Sequence, residues 1–322
     1  MSSSMQNRNF QMIDTNGVRL RTVVEGDGPL VILLHGFPQC WYLWRHQIDP
    51  LVEAGFQVAV PDQRGYGGSD RPEAIDAYNI VDLSHDVAGL ATALGHEQFL
   101  VVGHDWGAPV AWHTALLHAE RVKAVAGLSV PYVRGQAGTM TRQENFGDNF
   151  WYIVYFQTPG VAEAEFEVDI RKTLRLTYYI ASGDAPANAM LIQKPATAKF
   201  LDGLPEPETL PAWLTPEDLD YYVAQYEQSG FRGPLNWYRN IDRNLELTPQ
   251  LENAKIERPA LFIAGKKDPV LSFGGGGWVD LMDHFVTDLR GKVYIDGAGH
   301  WVQMERPTQV TETVLGFLKQ FA

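Results

Sequence analysis

The sequence predicts an α/β protein: a mostly parallel central sheet with helices on both faces, interrupted by an inserted, mainly helical segment. Three observations carry this. Short runs rich in Val, Ile and Leu recur along the chain and are apolar at nearly every position, as strands buried on both faces are. Between them lie stretches with the 3–4-residue apolar spacing of helices, and strand alternating with helix implies a parallel sheet. The alternation stops between about Val133 and Arg258 and resumes at Pro259.

In chain order, residues 10–25 (FQMIDTNGVRLRTVVE) alternate in character around Asn16-Gly17, a β-hairpin signal. Buried strands are expected at 29–35 (PLVILLH), 56–62 (FQVAVPD), 99–105 (FLVVGHD), 122–129 (VKAVAGLS), 259–265 (PALFIAG) and 292–297 (KVYIDG). In NIVDLSHDVAGLATALG, Leu83, Val87, Leu90, Ala91 and Leu94 share one helical face, with Gly95 as the stop. A similar stripe follows Pro307 in PTQVTETVLGFLKQF. The intervening stretch is rich in aromatic residues and is crossed by a proline-rich excursion between Lys194 and Leu219. The pattern therefore predicts one discontinuous core, residues 1–132 and 259–322, with a helical cap at 133–258, rather than two tandem domains.

A chain of 322 residues suits one α/β core with an insertion. The apolar share of 45% and charged share of 20% are those of a soluble globular protein. A net charge of −13 argues against nucleic acid and against anionic membrane surfaces. The lone cysteine, Cys40, excludes an intrachain disulfide and is compatible with a reducing cytosol. The N-terminal MSSSMQNRNFQMID has no signal-peptide plan, and no stretch approaches the length of a membrane span. A cytoplasmic monomer or homodimer is expected.

The chemistry lies at one corner. VVGHDWGAPVAW (101–112) reads as strand, sharp turn and helix, with the spacing G-x-D-x-G over Gly103, Asp105 and Gly107. Hydrolases that use this corner usually place serine at its centre. A carboxylate attacking an acyl carbon would leave an anhydride. Attacking a saturated carbon, it leaves an ordinary ester that water can hydrolyse. Asp105 thus predicts displacement at sp³ carbon, with epoxides and alkyl halides as candidate substrates. The bland alternative is an aspartate that merely caps the following helix.

The other parts appear in the expected order. His300, in DGAGHWVQME past the last expected strand, can activate water against the ester. Asp268, in AGKKDPV, follows a strand where a carboxylate can orient that imidazole. The backbone N–H groups of Phe37, in LLHGFPQCWYLW, and of Trp106 are the expected oxyanion donors. Other apparent signals fail: GYGGSD and GGGG lack the endings of nucleotide loops, and His113 and His118, five apart, do not share a helical face for a metal. No metal and no cofactor are implied.

With HGFPQCWYLWRHQI, PDQRGYGGSDRP, GHDWG, YFQTPGVAEAE, LNWYRNIDRN, AGKKDPV and GHWVQMERP all present, the chain resembles the soluble epoxide hydrolase group of the α/β-hydrolase superfamily. It is similar to the compact form, without the N-terminal phosphatase domain of some animal members. The resemblance implies an α/β-hydrolase fold and an epoxide hydrolase that converts epoxides to vicinal diols through a covalent ester on Asp105. It also implies two cap tyrosines as proton donors to the epoxide oxygen, falling on Tyr152 and Tyr238, with Tyr155 a competitor for the first role. Phe37, Trp106, Trp151, His104 and Trp301 suggest an apolar pocket for a small apolar epoxide, with water as co-substrate. The rivals are a haloalkane dehalogenase, for which Phe37 replaces a side-chain halide donor, and a non-catalytic ligand receptor on the same fold.

Overall fold

The computed structural model describes residues 8–322. The first seven residues, part of the stretch read above as lacking a leader, lie outside them. One sheet of eight strands runs through the molecule: β1 (Phe10–Thr15), β2 (Val18–Glu25), β3 (Leu30–Leu34), β4 (Gln57–Pro61), β5 (Phe99–His104), β6 (Val122–Leu128), β7 (Ala260–Gly265) and β8 (Leu289–Ile295). Their spatial order is β1-β2-β4-β3-β5-β6-β7-β8. The pairs β1·β2 and β2·β4 are antiparallel and the others are parallel. Asn16 and Gly17 both have positive φ, 43° and 76°, as a tight hairpin turn of matching twist requires.

Every residue of β3, β5 and β7 is buried, which is why their sequences read as unbroken apolar runs. The strand β8 begins at Leu289, earlier than the 292 expected. It lies at the sheet edge and is largely half-exposed, so its first residues, Leu289-Arg290-Gly291, carry no continuous apolar signal.

Helices α1 (Arg45–Glu53), α2 (Ile80–Ala93) and α3 (Gly107–Leu117) alternate with the strands. Asn79 caps α2 by accepting from the N–H groups of Val81 and Asp82, and Gly95 takes a left-handed φ of 84° just beyond its end. Between β6 and β7 the chain leaves the sheet and forms α4 (Tyr152–Tyr155), α5 (Val161–Phe166), α6 (Ile170–Ile180), α7 (Pro216–Ser229), α8 (Arg232–Arg239) and α9 (Ile241–Leu247). It then returns through α10 (Trp278–Phe285), α11 (Val302–Glu305) and α12 (Pro307–Leu318). The helices α2 and α3 pack on each other, as do α1 and α12, forming two helical layers.

Hydrogen bonds from large side chains tie the inserted helices to the segments that follow β3 and β4. Trp237 Nε1 donates to the Arg64 carbonyl at 3.1 Å, and Trp41 Nε1 donates to the Tyr221 hydroxyl at 2.7 Å. Tyr42 donates to Asp218 at 2.7 Å, and Arg45 pairs with the same carboxylate at 3.3 Å. Tryptophan and tyrosine suit such a seam because a broad apolar body carries one polar group that finds a partner. Among the described residues, no helix is long and apolar enough to cross a membrane.

Candidate active site

The turn between β5 and α3 is built around close backbone contacts. A Cβ on Gly103 would overlap the Gly107 carbonyl, and one on Gly107 would overlap the carbonyls of Leu34 and His35. Between them Asp105 has a φ of 52°, in the left-handed region that aspartate tolerates better than most residues. The turn lifts its side chain to the C-terminal edge of the parallel strands, where open α/β sheets carry their sites.

The Asp105 carboxylate has two differently held oxygens. Oδ1 accepts from the Phe37 N–H at 2.6 Å. Oδ2 lies 3.3 Å from His300 Nε2. The other nitrogen of that ring, Nδ1, is 3.1 Å from each oxygen of Asp268. Asp268 itself accepts from the Val270 N–H at 2.9 Å, which fixes its orientation just after β7.

The Phe37 N–H is aimed by its turn. His35 Nε2 accepts from the Gln63 N–H at 3.0 Å, which leaves Nδ1–H to donate to the Gly36 carbonyl at 3.0 Å. Gly36 has no room for a side chain, since a Cβ there would overlap Asp105 Oδ1 and the Trp106 nitrogen. The Phe37-Pro38 peptide bond is cis.

The charges are coupled. Burial alone would raise the Asp105 pKa, but the hydrogen bond and charge of His300 outweigh it and hold the carboxyl below its usual range. Burial would likewise depress His300, but the Asp268 charge, with the bonds to Asp105 and Asp268, outweighs it and pushes the imidazole up to about 10. The resting pair is therefore carboxylate and imidazolium. Burial, with the negative charges of Asp105 and Asp268, pushes the Tyr152 phenol well above its ordinary value. Burial and Asp105 do the same to Tyr238, so both phenols keep their protons.

Tyr152 opens α4 and Tyr238 lies in the last turn of α8, and the structure brings their rings to 6.1 Å apart at 80°. Both line two adjoining cavities, of about 320 Å³ and about 40 Å³, that share Asp105 and Val270 as well. The smaller one reaches His300, Phe37 and Trp301, and the larger is walled mainly by apolar side chains such as Met140, Ile153 and Leu245. Tyr155 turns elsewhere: its hydroxyl donates to Glu165 at 2.8 Å.

Two residues expected in the pocket are not on the cavity walls. His104 ends β5, one residue before the left-handed turn at Asp105. It lies fully buried behind His300, with Nε2 donating to the His300 carbonyl at 2.7 Å, and burial followed by the charge of His300 lowers its pKa to about 3. Trp151 stacks on Phe146 at 5.1 Å and meets Phe273 edge-on, to the side of the cavities. Trp301 does line the smaller cavity and donates through Nε1 to the Tyr178 carbonyl at 2.7 Å.

Sequence reasoning missed Ser129, just past β6, whose hydroxyl also donates to the His300 carbonyl at 3.0 Å. Its only sequence signal was its place at a strand's C-terminal end, beside that of Asp105. Val270 and Phe273, on the cavity wall, gave no signal beyond following Asp268.

A family model described as the alpha/beta hydrolase fold matches residues 29–307. The chain is 50% identical over 314 residues to epoxide hydrolase A of Mycobacterium tuberculosis, covering 96% of each. It is 37% identical to the bifunctional epoxide hydrolase 2 of Rattus norvegicus, covering 94% of this chain and 54% of that protein. Among solved structures, epoxide hydrolase A from Mycobacterium thermoresistibile superposes with a TM-score of 0.89 at 48% identity, covering 98% of this chain and 99% of that one. An epoxide hydrolase from an endophytic Streptomyces gives 0.93 at 40% identity, covering 97% and 95%.

Proposed function

This chain belongs to the α/β hydrolase fold family and to the epoxide hydrolases within it, and on that footing we propose that it converts apolar epoxides to vicinal diols through an ester on Asp105. In this reading, residues 1–132 and 259–322 form a core carrying the nucleophile, the base and the N–H donors. Residues 133–258 form a cap that supplies both phenols. The observation that carries the reading is the asymmetry of the Asp105 carboxylate, with Oδ1 held by the Phe37 N–H and Oδ2 facing His300, beside a cavity that both residues line.

Oδ2 attacks an epoxide carbon from behind the ring oxygen, and the ring C–O bond breaks. The oxygen leaves as an alkoxide, far more basic than a halide, and one phenol of the Tyr152–Tyr238 pair gives it a proton while the other donates a hydrogen bond. Oδ1 becomes the ester carbonyl, already at the Phe37 N–H, with the Trp106 N–H as the second donor.

Ester formation removes the charge of Asp105, one of the two carboxylates that keep His300 protonated. The imidazolium loses its proton, which restores the phenol, and the neutral ring becomes a base. It draws a proton from water, and the hydroxide adds to the ester carbon. The intermediate collapses by releasing Oδ2 within the diol, whose oxygen takes that proton from the imidazolium. The carboxylic acid left on residue 105 then gives its own proton to His300, so aspartate and imidazolium are regenerated and atoms and charges balance.

A single turnover in heavy-oxygen water tests this. The label should enter the Asp105 carboxylate while the first diol carries none. Label appearing directly in the diol would rule out the ester. A halide leaving group would need a second side-chain donor, and the Phe37 ring has none.

A further inference from the structure

We propose that Glu305 is a positioning residue for His300: its buried carboxylate ties the two peptide N–H groups that flank His300 to the inserted segment at Gly183, so that the base is held by the cap as well as by the core. This rests on the two-step reading above, in which only the second step needs the imidazole.

Glu305 ends α11 and is only 6% exposed. Its Oε2 accepts from the N–H groups of Gly183 at 2.8 Å and Gly299 at 3.0 Å, and its Oε1 accepts from Trp301 at 3.1 Å. Among the described residues no lysine or arginine forms an ion pair with it. A buried carboxylate is costly unless its oxygens are satisfied, and here peptide N–H groups from two separate segments do so.

The two segments meet backbone to backbone. The His300 N–H donates to the Ala181 carbonyl at 2.8 Å, and Lys267 Nζ donates to the Gly183 carbonyl at 2.7 Å. A Cβ on Gly299 would overlap the Gly183 nitrogen, and one on Gly183 would crowd the Gly297 carbonyl. Glycine is therefore required on both sides of the seam, and Glu305 closes it. Without the carboxylate, the peptides on both sides of His300 lose their anchor. The imidazole is then free to drift from the water that must reach the Asp105 ester.

Glu305→Gln puts an amide N–H opposite at least one N–H donor, and Glu305→Asp keeps the charge but shortens the reach. Both full-length variants are mixed with a styrene-type epoxide in rapid-quench experiments, with the intact protein weighed by mass spectrometry. Ring opening should proceed at the wild-type rate. Ester hydrolysis should slow by about ten- to hundredfold in Glu305→Gln, the cost of a misplacement of about an ångström, and by less in Glu305→Asp. The ester should accumulate, and kcat and KM should fall together. Hydrolysis at the wild-type rate per folded molecule, or both steps slowed equally, overturns the proposal, and Glu305→Asp decides it if the glutamine variant does not fold. Failure of His300→Gln to trap any ester would overturn the two-step reading itself. Ester trapped in that variant, with Glu305 variants turning over normally, would overturn only the role of Glu305.

Discussion

His300 Nε2 lies 3.3 Å from Asp105 Oδ2, with the opposite edge of the same ring against Asp268. An imidazole between two carboxylates keeps its proton, which accounts for a pKa pushed up to about 10 despite burial. In the proposed reaction the ring must nevertheless act as a neutral base, and esterifying one of the two anions would supply the change.

The ion pair gives stability a pH dependence with a defined sign. A group whose pKa rises on folding, from 6.5 to about 10, binds more protons in the folded state. Its stabilisation is complete below pH 6.5 and is lost as pH rises through 10. Melting temperatures of the wild type and His300→Gln, measured across that range, should differ most at the acidic end and converge at the alkaline end. A constant gap would show that His300 is not protonated in the resting protein.

His300→Gln should open epoxides and then stall. Attack by Asp105 does not need the base, whereas hydrolysis loses a general base, a cost of about 10²–10⁴-fold. The protein should gain the mass of one epoxide and hold it. Multiple turnovers with no adduct would contradict the assignment.

Tyr238→Phe should slow ring opening by about 10²-fold, the ordinary cost of removing a positioned acid. Loss of both phenols, with Tyr152→Phe added, should bring it close to zero. Removing Tyr155, whose hydroxyl is bound to Glu165, should leave ring opening nearly unchanged. Single-turnover rates on one epoxide compare all three, and a double variant as fast as the wild type would remove the tyrosines from the chemistry.

Gly36→Ala should damage stability and catalysis together, because the new methyl group would collide with Asp105 Oδ1 and the Trp106 nitrogen. Overpacking of this kind costs about 1–3 kcal/mol. The urea midpoint should fall, and adduct formation should be lost even in the molecules that remain folded. An unchanged midpoint would mean that the turn has more room than its geometry indicates.

What could be read from the chain was local. Buried parallel strands are apolar at every position, so β3, β5 and β7 stand out, whereas the edge strand β8 does not and its start was missed. Asp105, His300 and Asp268 were legible because each sits in a short motif just beyond a strand. His104 was placed on the wrong side because a motif names neighbours without saying which way each one points.

The amino-acid sequence by itself determined the alternation of strand and helix, the point where it is interrupted, and the residue type at the corner. These follow from hydrophobic periodicity and from the chemistry of one side chain. Only the tertiary structure decided that Asp105 offers one oxygen to the backbone and the other to His300. The same holds for Tyr155 facing away from the site, and for Ser129, Glu305 and Gly183 gathering around the His300 loop. The physical reason is that these contacts join peptide groups far apart in the chain, and a backbone N–H looks the same in every sequence.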